Sequence, residues 1–130
     1  MPWRGRRNPK TRQELARIGE DHAARYLASR GYRIRERNYR VARGEIDIIA
    51  EQGSVLAFVE VKSRSSDQRA SPRESVTATK QQHIARVAAS YLTSRERHER
   101  VVRFDVVEVL LTPAGRVEQV TLIQGAFQAP

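Results

Sequence analysis

The 130-residue sequence predicts an α/β domain of three layers, with helices on both faces of a mixed central sheet. Three observations predict it. Two stretches, near residues 12–30 and 80–94, carry apolar residues at helical spacing. The remaining apolar segments are β-branched and short, so the order reads helix, strand, strand, strand, helix, strand, strand. The stretch GEIDIIAEQGSVLAFVEVKSR over residues 44–64 has two apolar, β-branched arms around Gln52-Gly53, the pattern of a hairpin.

Residues 1–12 (MPWRGRRNPKTR) carry five basic residues and no acid, and their prolines and glycine oppose regular structure. They read as a basic, disordered tail before a single domain over 13–127. The other reading is an arm that grips phosphate, with Trp3 stacking on a base. The first helix opens with Thr11 and Glu14 at capping-box spacing and stops at Gly31. Leu15, Ile18, Gly19, Ala23, Tyr26 and Leu27 form its apolar side. Glu20 borders that side, where a surface salt bridge with Arg17 or Arg25 is the plain explanation.

Residues 32–39 alternate as a strand that places Arg33, Arg35 and Arg37 on one face. With Arg40 and Arg43 they form a strip with a single acid, either a solvated face or a phosphate track leading into the hairpin. Asp47 interrupts the first arm of the hairpin, and Glu60 and Lys62 interrupt the second. Residues two apart share a face, so Glu60 and Lys62 point the same way. With the turn centred on Gln52-Gly53, Asp47 lies opposite Phe58 and diagonal to Glu60, about 7–8 Å away on the same face.

Residues 63–79 are rich in Ser, Arg and Thr and predict a long loop whose Arg64, Arg69 and Arg73 contact a nucleic-acid backbone or lie untethered. The second helix is expected over Lys80–Ser94, capped by Thr79 and Gln82, with Ile84, Val87, Ala88, Tyr91 and Leu92 facing the core. Residues 95–100 form a polar turn. Residues 101–111 are apolar on both faces and predict a central strand. Pro113-Ala114-Gly115 turns the chain into a last strand over 116–123, and Phe127 in the tail is placed to dock on the core.

The formal net charge is +9, which fits a polyanionic partner, nucleic acid above all, or simple solubility. The chain has no cysteine, which excludes disulfides and thiolate metal sites. No apolar run approaches the ~20 residues of a membrane span. The basic N-terminus is followed by no apolar run of the secretory kind, so a cytoplasmic protein is expected.

Charges in strands this apolar are costly unless paired or metal-bound. Asp47, Glu60 and Lys62 therefore form either a buried salt-bridge network or a cation site. In the second case two carboxylates and a backbone carbonyl such as that of Val61 offer Mg²⁺ part of its oxygen shell, completed by waters and a substrate phosphate. Lys62 beside them orients a water and offsets charge on the phosphate, a set suited to phosphodiester hydrolysis.

The stretches GEDHAARYLASRGYRIRERNYR, GEIDIIA, FVEVKSR and RFDVV, with the terminal segment ending at Ala126-Phe127, cover roughly residues 13–127. Together they resemble the YraN-like family of small bacterial proteins. That family in turn resembles the PD-(D/E)xK nuclease superfamily and, within it, archaeal Holliday junction resolvases. The resemblance implies a restriction-endonuclease-like αβββαβ core. It implies that Asp47 and Glu60 hold Mg²⁺ or Mn²⁺, that Lys62 assists the nucleophile, and that Glu20 joins the metal site or positions water. Ile46 stands where the superfamily name has proline. The resemblance further implies an endonuclease acting on DNA, branched or structured DNA included, and a homodimer. A non-catalytic nucleic-acid-binding module on the same fold is the alternative.

Overall fold

Thr11 opens the first helix, α1 (Arg12–Ser29): its hydroxyl accepts from Glu14 N–H while the Glu14 carboxylate accepts from Thr11 N–H. Gly31, at φ 90°, lets the chain turn out of the helix as its N–H bonds back to Ala28. The strands β1 (Arg33–Val41), β2 (Gly44–Gln52) and β3 (Val55–Ser65) follow, then α2 (Ala78–Arg95), β4 (Val101–Leu111) and β5 (Val117–Phe127). The computed structural model describes residues 9–66, 76–95 and 101–129. Arg69, Arg73, the polar stretch 96–100 and the tail before Pro9, Trp3 included, lie outside the described residues.

The five strands form one sheet in the order β1-β2-β3-β4-β5. All neighbours are antiparallel except β3 and β4, which run parallel from Val55↔Val101 to Ser65↔Leu111. A parallel pair needs a crossover, and α2 supplies it. The helices cover opposite faces. Ala23 and Leu27 of α1 pack on Ile48, Ala57, Val59 and Val107, whereas Ile84, Val87 and Tyr91 of α2 pack on Ile49, Phe58 and Phe104. The predicted three-layer α/β/α domain with a mixed sheet is the observed one, consistent with a restriction-endonuclease-like core. No helix among the described residues is long and apolar enough to cross a membrane.

Several local expectations shift. The hairpin turn holds Gly53 and Ser54, because Gln52 pairs with Val55; Gly53 takes φ 58°, open to glycine without strain. Arg64 belongs to β3 rather than to a loop, because parallel pairing with β4 extends that strand to Ser65. Helix α2 is capped by Thr77, whose hydroxyl accepts from Lys80 N–H at 3.1 Å, and Thr79 lies inside the helix. Strand β5 runs past residue 123 to Phe127, which stacks on Phe104 with centroids 5.0 Å apart. A register shift between Ile34 and Glu36 divides the arginines of β1. Arg33 and Arg35 both pair with Glu51, while Arg37 turns to α1 and bonds Asp21 at 2.8 Å.

Candidate functional site

Strand β2 changes partners halfway along. From Gln52 back to Ile48 it pairs with β3, but its first half pairs only with β1. The side chains reverse sense at the same place. Ile48, opposite Arg37, packs in the α1 core, and Ile46, opposite Tyr39, packs in the α2 core, although strand alternation would put both on one face. Two residues stand at this reversal. One is Asn38, at φ 54°, a left-handed conformation that Asn tolerates better than most residues. The other is Asp47.

Asp47 therefore reaches across the gap where β2 leaves β3. Its Oδ2 accepts the Val61 N–H at 2.8 Å, standing in for the backbone acceptor that β2 no longer offers. The hairpin register carried one rung further sets Asp47 level with Glu60, not diagonal to it. The difference from expectation is two residues, so the face is preserved. The carboxyls of Asp47 and Glu60 are close enough for each charge to act on the other. Burial pushes the Asp47 carboxyl up to about 7, and the Glu60 charge adds to the rise, while the Val61 N–H opposes it. A strand residue directs its N–H and C=O to the same neighbour. The Val61 carbonyl thus opens to the same gap.

Glu20 joins from α1. Burial raises its pKa first and the Asp47 charge second; Arg37, 4.0 Å away, and a hydrogen bond with Asn38 pull the other way. Its cationic neighbour is thus Arg37, not Arg17 or Arg25. Gly19 allows this approach: a Cβ there would sit 1.9 Å from Ser63 Oγ, so α1 lies directly on β3. Lys62 follows Glu60 by two positions on β3, level with Glu108 of β4. Among the described residues no ion pair or hydrogen bond joins the Lys62 ammonium to either carboxylate. The ammonium that does meet Glu60 comes from α2: Lys80 Nζ lies 3.5 Å from Glu60 Oε2. Sequence reading missed it, since a lysine in a first helical turn goes against the helix dipole but does not name its partner.

Two hollows flank Glu20. One, of about 350 Å³, lies between the start of α1 and β3 and is lined by Lys10, Arg12, Val61, Ser63 and Arg64. The other, more open, is lined by Arg17, Asp21, Arg37, Asn38 and Arg40. Arg40 also pairs with Glu45 at 3.6 Å, and Arg43 is exposed at the turn between β1 and β2.

As a cation site the centre offers hard oxygen donors only. Among the described residues no three Asp, Glu or His side chains gather closely enough to hold a metal by themselves. Two adjacent carboxyls, one of them driven to keep a proton near neutrality, meet one ammonium, that of Lys80, and the Val61 carbonyl adds a third oxygen. That donor set fits Mg²⁺, which keeps several waters and takes one or two carboxylates.

Fold and site together define an α/β domain with a restriction-endonuclease-like core, carrying an acidic pair where its second strand leaves the third. The chain belongs to the Uncharacterised protein family UPF0102, the YraN family, whose model matches residues 19–109. It is 50% identical over 117 residues to a UPF0102 protein of Moorella thermoacetica, covering 90% of this chain and 98% of that one. A UPF0102 protein of Dictyoglomus turgidum is 40% identical over 88% of this chain and 98% of its own. One of Chlorobaculum tepidum is 54% identical over 75% and 76% respectively.

Proposed function

We propose that the protein is a metal-dependent endonuclease hydrolysing phosphodiester bonds in DNA, branched or otherwise structured DNA among its substrates. One observation carries this reading: in the gap where β2 leaves β3, Asp47 is fixed by the Val61 N–H at 2.8 Å and lies close enough to Glu60 for the Glu60 charge to raise its pKa. A fold gains nothing from bringing two carboxyls together in a half-buried gap unless a cation belongs there.

Asp47, Glu60 and the Val61 carbonyl would hold Mg²⁺ or Mn²⁺, which polarises a phosphoryl oxygen and makes a bound water more acidic. Glu20 borders the same gap and is placed to accept a proton from, or orient, the attacking water. Lys62 offsets charge that builds on the phosphate. The hollows either side of Glu20 give the strand a path, with Lys10, Arg12 and Arg64 on one side and Arg17, Arg37 and Arg40 on the other. Arg43, exposed at the turn between β1 and β2, extends the contact to the phosphate backbone, whereas Arg33 and Arg35 are engaged by Glu51 on the other face. A homodimer would set two such sites on two strands.

The test uses purified protein with branched, single-stranded and duplex DNA, with Mg²⁺, Mn²⁺ or chelator, beside Glu60→Ala and Lys62→Ala. Cleavage that requires metal and disappears in both variants supports the enzyme. Salt-sensitive binding that survives both substitutions, with no cleavage by the wild type, establishes the non-catalytic binding module instead.

A further inference from the structure

Lys80 breaks a local rule. It stands in the first turn of α2, where the helix dipole disfavours cations, and that turn contains no acid to offset it. Its hydrophobic neighbours do not explain it, because its own side chain is 46% exposed. What it does meet is Glu60, only 11% exposed, at 3.5 Å. The pair links the solvent side of the α2 layer to the acid pair in the gap. The half-exposed ammonium limits what the pair adds to folding, although the nearly buried Glu60 carboxylate depends on it for its charge partner. A cation placed against the dipole and against a candidate metal ligand therefore points to the site rather than to the fold.

We infer that Lys80 is a positioning residue of the site. Its ammonium holds and orients the Glu60 carboxylate in the substrate-free protein and turns to the phosphate when DNA enters. This rests on the metal-site reading above. The long, half-exposed stem allows the movement, since a lysine head is a point charge on four flexible carbons. Before substrate arrives, the ammonium competes with a metal ion for Glu60. With substrate in place it opposes the negative charge on the phosphate.

Lys80→Ala and Lys80→Arg test the inference through three measurements: urea unfolding, Mn²⁺ binding to the protein without DNA by electron paramagnetic resonance, and DNA cleavage. Lys80→Ala should unfold cooperatively at a urea concentration only slightly below that of the wild type. It should bind Mn²⁺ about three- to tenfold more tightly, having lost a competing charge. It should cleave at least about a hundredfold more slowly, in kcat more than in KM. Lys80→Arg should recover part of the rate. The inference is overturned if Lys80→Ala cleaves like the wild type, or if its Mn²⁺ affinity falls together with its stability, the mark of a structural prop. A wild type that binds Mn²⁺ and cleaves, beside an indistinguishable Lys80→Ala, sinks the Lys80 inference alone. A wild type that does neither sinks the metal-site reading and this inference with it.

Discussion

Asp105 is the most consequential acid for stability, and replacing it with alanine tests how the sheet is closed at one end. Its side chain is fully buried. It accepts from Arg103 Nε at 2.8 Å and Nη2 at 3.0 Å, from Tyr32 hydroxyl at 3.0 Å and from Gly125 N–H at 2.9 Å. Arg103 Nη2 continues to Gln52 Oε1 at 2.9 Å, and Gln124 Nε2 donates to Tyr32 hydroxyl at 2.8 Å. The cluster joins Tyr32, just ahead of β1, to the end of β2, to β4 and to the bulged half of β5. Breaking a buried pair by removing one partner costs about 3–5 kcal/mol. Arg103 keeps 24% exposure and can recover some hydration, so the lower end applies, about 3 kcal/mol. For a domain of this size that lowers the melting temperature by roughly 10–15 °C. Urea unfolding followed by far-ultraviolet circular dichroism, with calorimetry alongside, measures both. The paired apolar replacement Arg103→Met/Asp105→Leu should lose clearly less than Asp105→Ala alone, since it leaves no orphaned charge. An Asp105→Ala protein within about 1 kcal/mol of wild type would refute the argument.

Three further outcomes are expected. In chelator, Asp47 makes the protein less stable as pH rises: its carboxyl titrates at about 7 when folded against 3.8 in the free residue, so the folded state holds the extra proton between those values and loses it above them. Denaturation at pH 5 and pH 8 should show this fall, on the order of 2 kcal/mol once solvent access to the gap is allowed for, and Asp47→Asn should abolish it. Gly19→Val drives a branched side chain into Ser63 and should cost about 2–3 kcal/mol by the same urea assay; it should also weaken Mn²⁺ binding by displacing the neighbouring Glu20. Phe127→Ala removes a ring stacked on Phe104 and should cost about 2 kcal/mol, with faster amide exchange in the second half of β5.

The features readable from the sequence are those whose cause is local. Thr11 and Glu14 make a cap within one helical turn, and the apolar positions of both helices follow 3.6-residue spacing. The meeting of Asp47 with Glu60 was legible although the turn was misplaced: moving the turn from Gln52-Gly53 to Gly53-Ser54 changes each pairing by two, which leaves the paired residues 48–52 on their faces, while the reversal of sense at Asp47 was not legible. What was illegible has causes at long range. Thr77 and Thr79 are equally good caps on paper, and the position of α2 decides between them. The continuation of β5 past residue 123 depends on Gly125 N–H finding Asp105, twenty residues away. Arg37 leaves the face of Arg33 because of a bulge that no β1 residue announces. Asp105 itself could have been found. It interrupts the run VVRFDVVEVLL as Asp47 interrupts its own strand, and the cost of burying an acid applies to both.

These two buried acids differ in a way that bears on function. Asp105 is surrounded by donors, and its charge is answered by Arg103, so the network serves the fold. Asp47 has one backbone donor, and the charges of Glu60, Glu20 and Glu45 all bear on it unfavourably. The sheet gives up part of its β2–β3 ladder to expose this group. Folding alone favours closing the ladder and replacing the acid, because each unmade rung and each like-charge contact costs stability. Local rules fail here in three ways at once: strand alternation, ladder pairing and charge balance. Failures that coincide at a single residue are better explained by a ligand that restores the balance than by three separate accidents of packing. On the proposed metal-site reading, a divalent cation in the gap would answer the charge, and the open rung would let it enter.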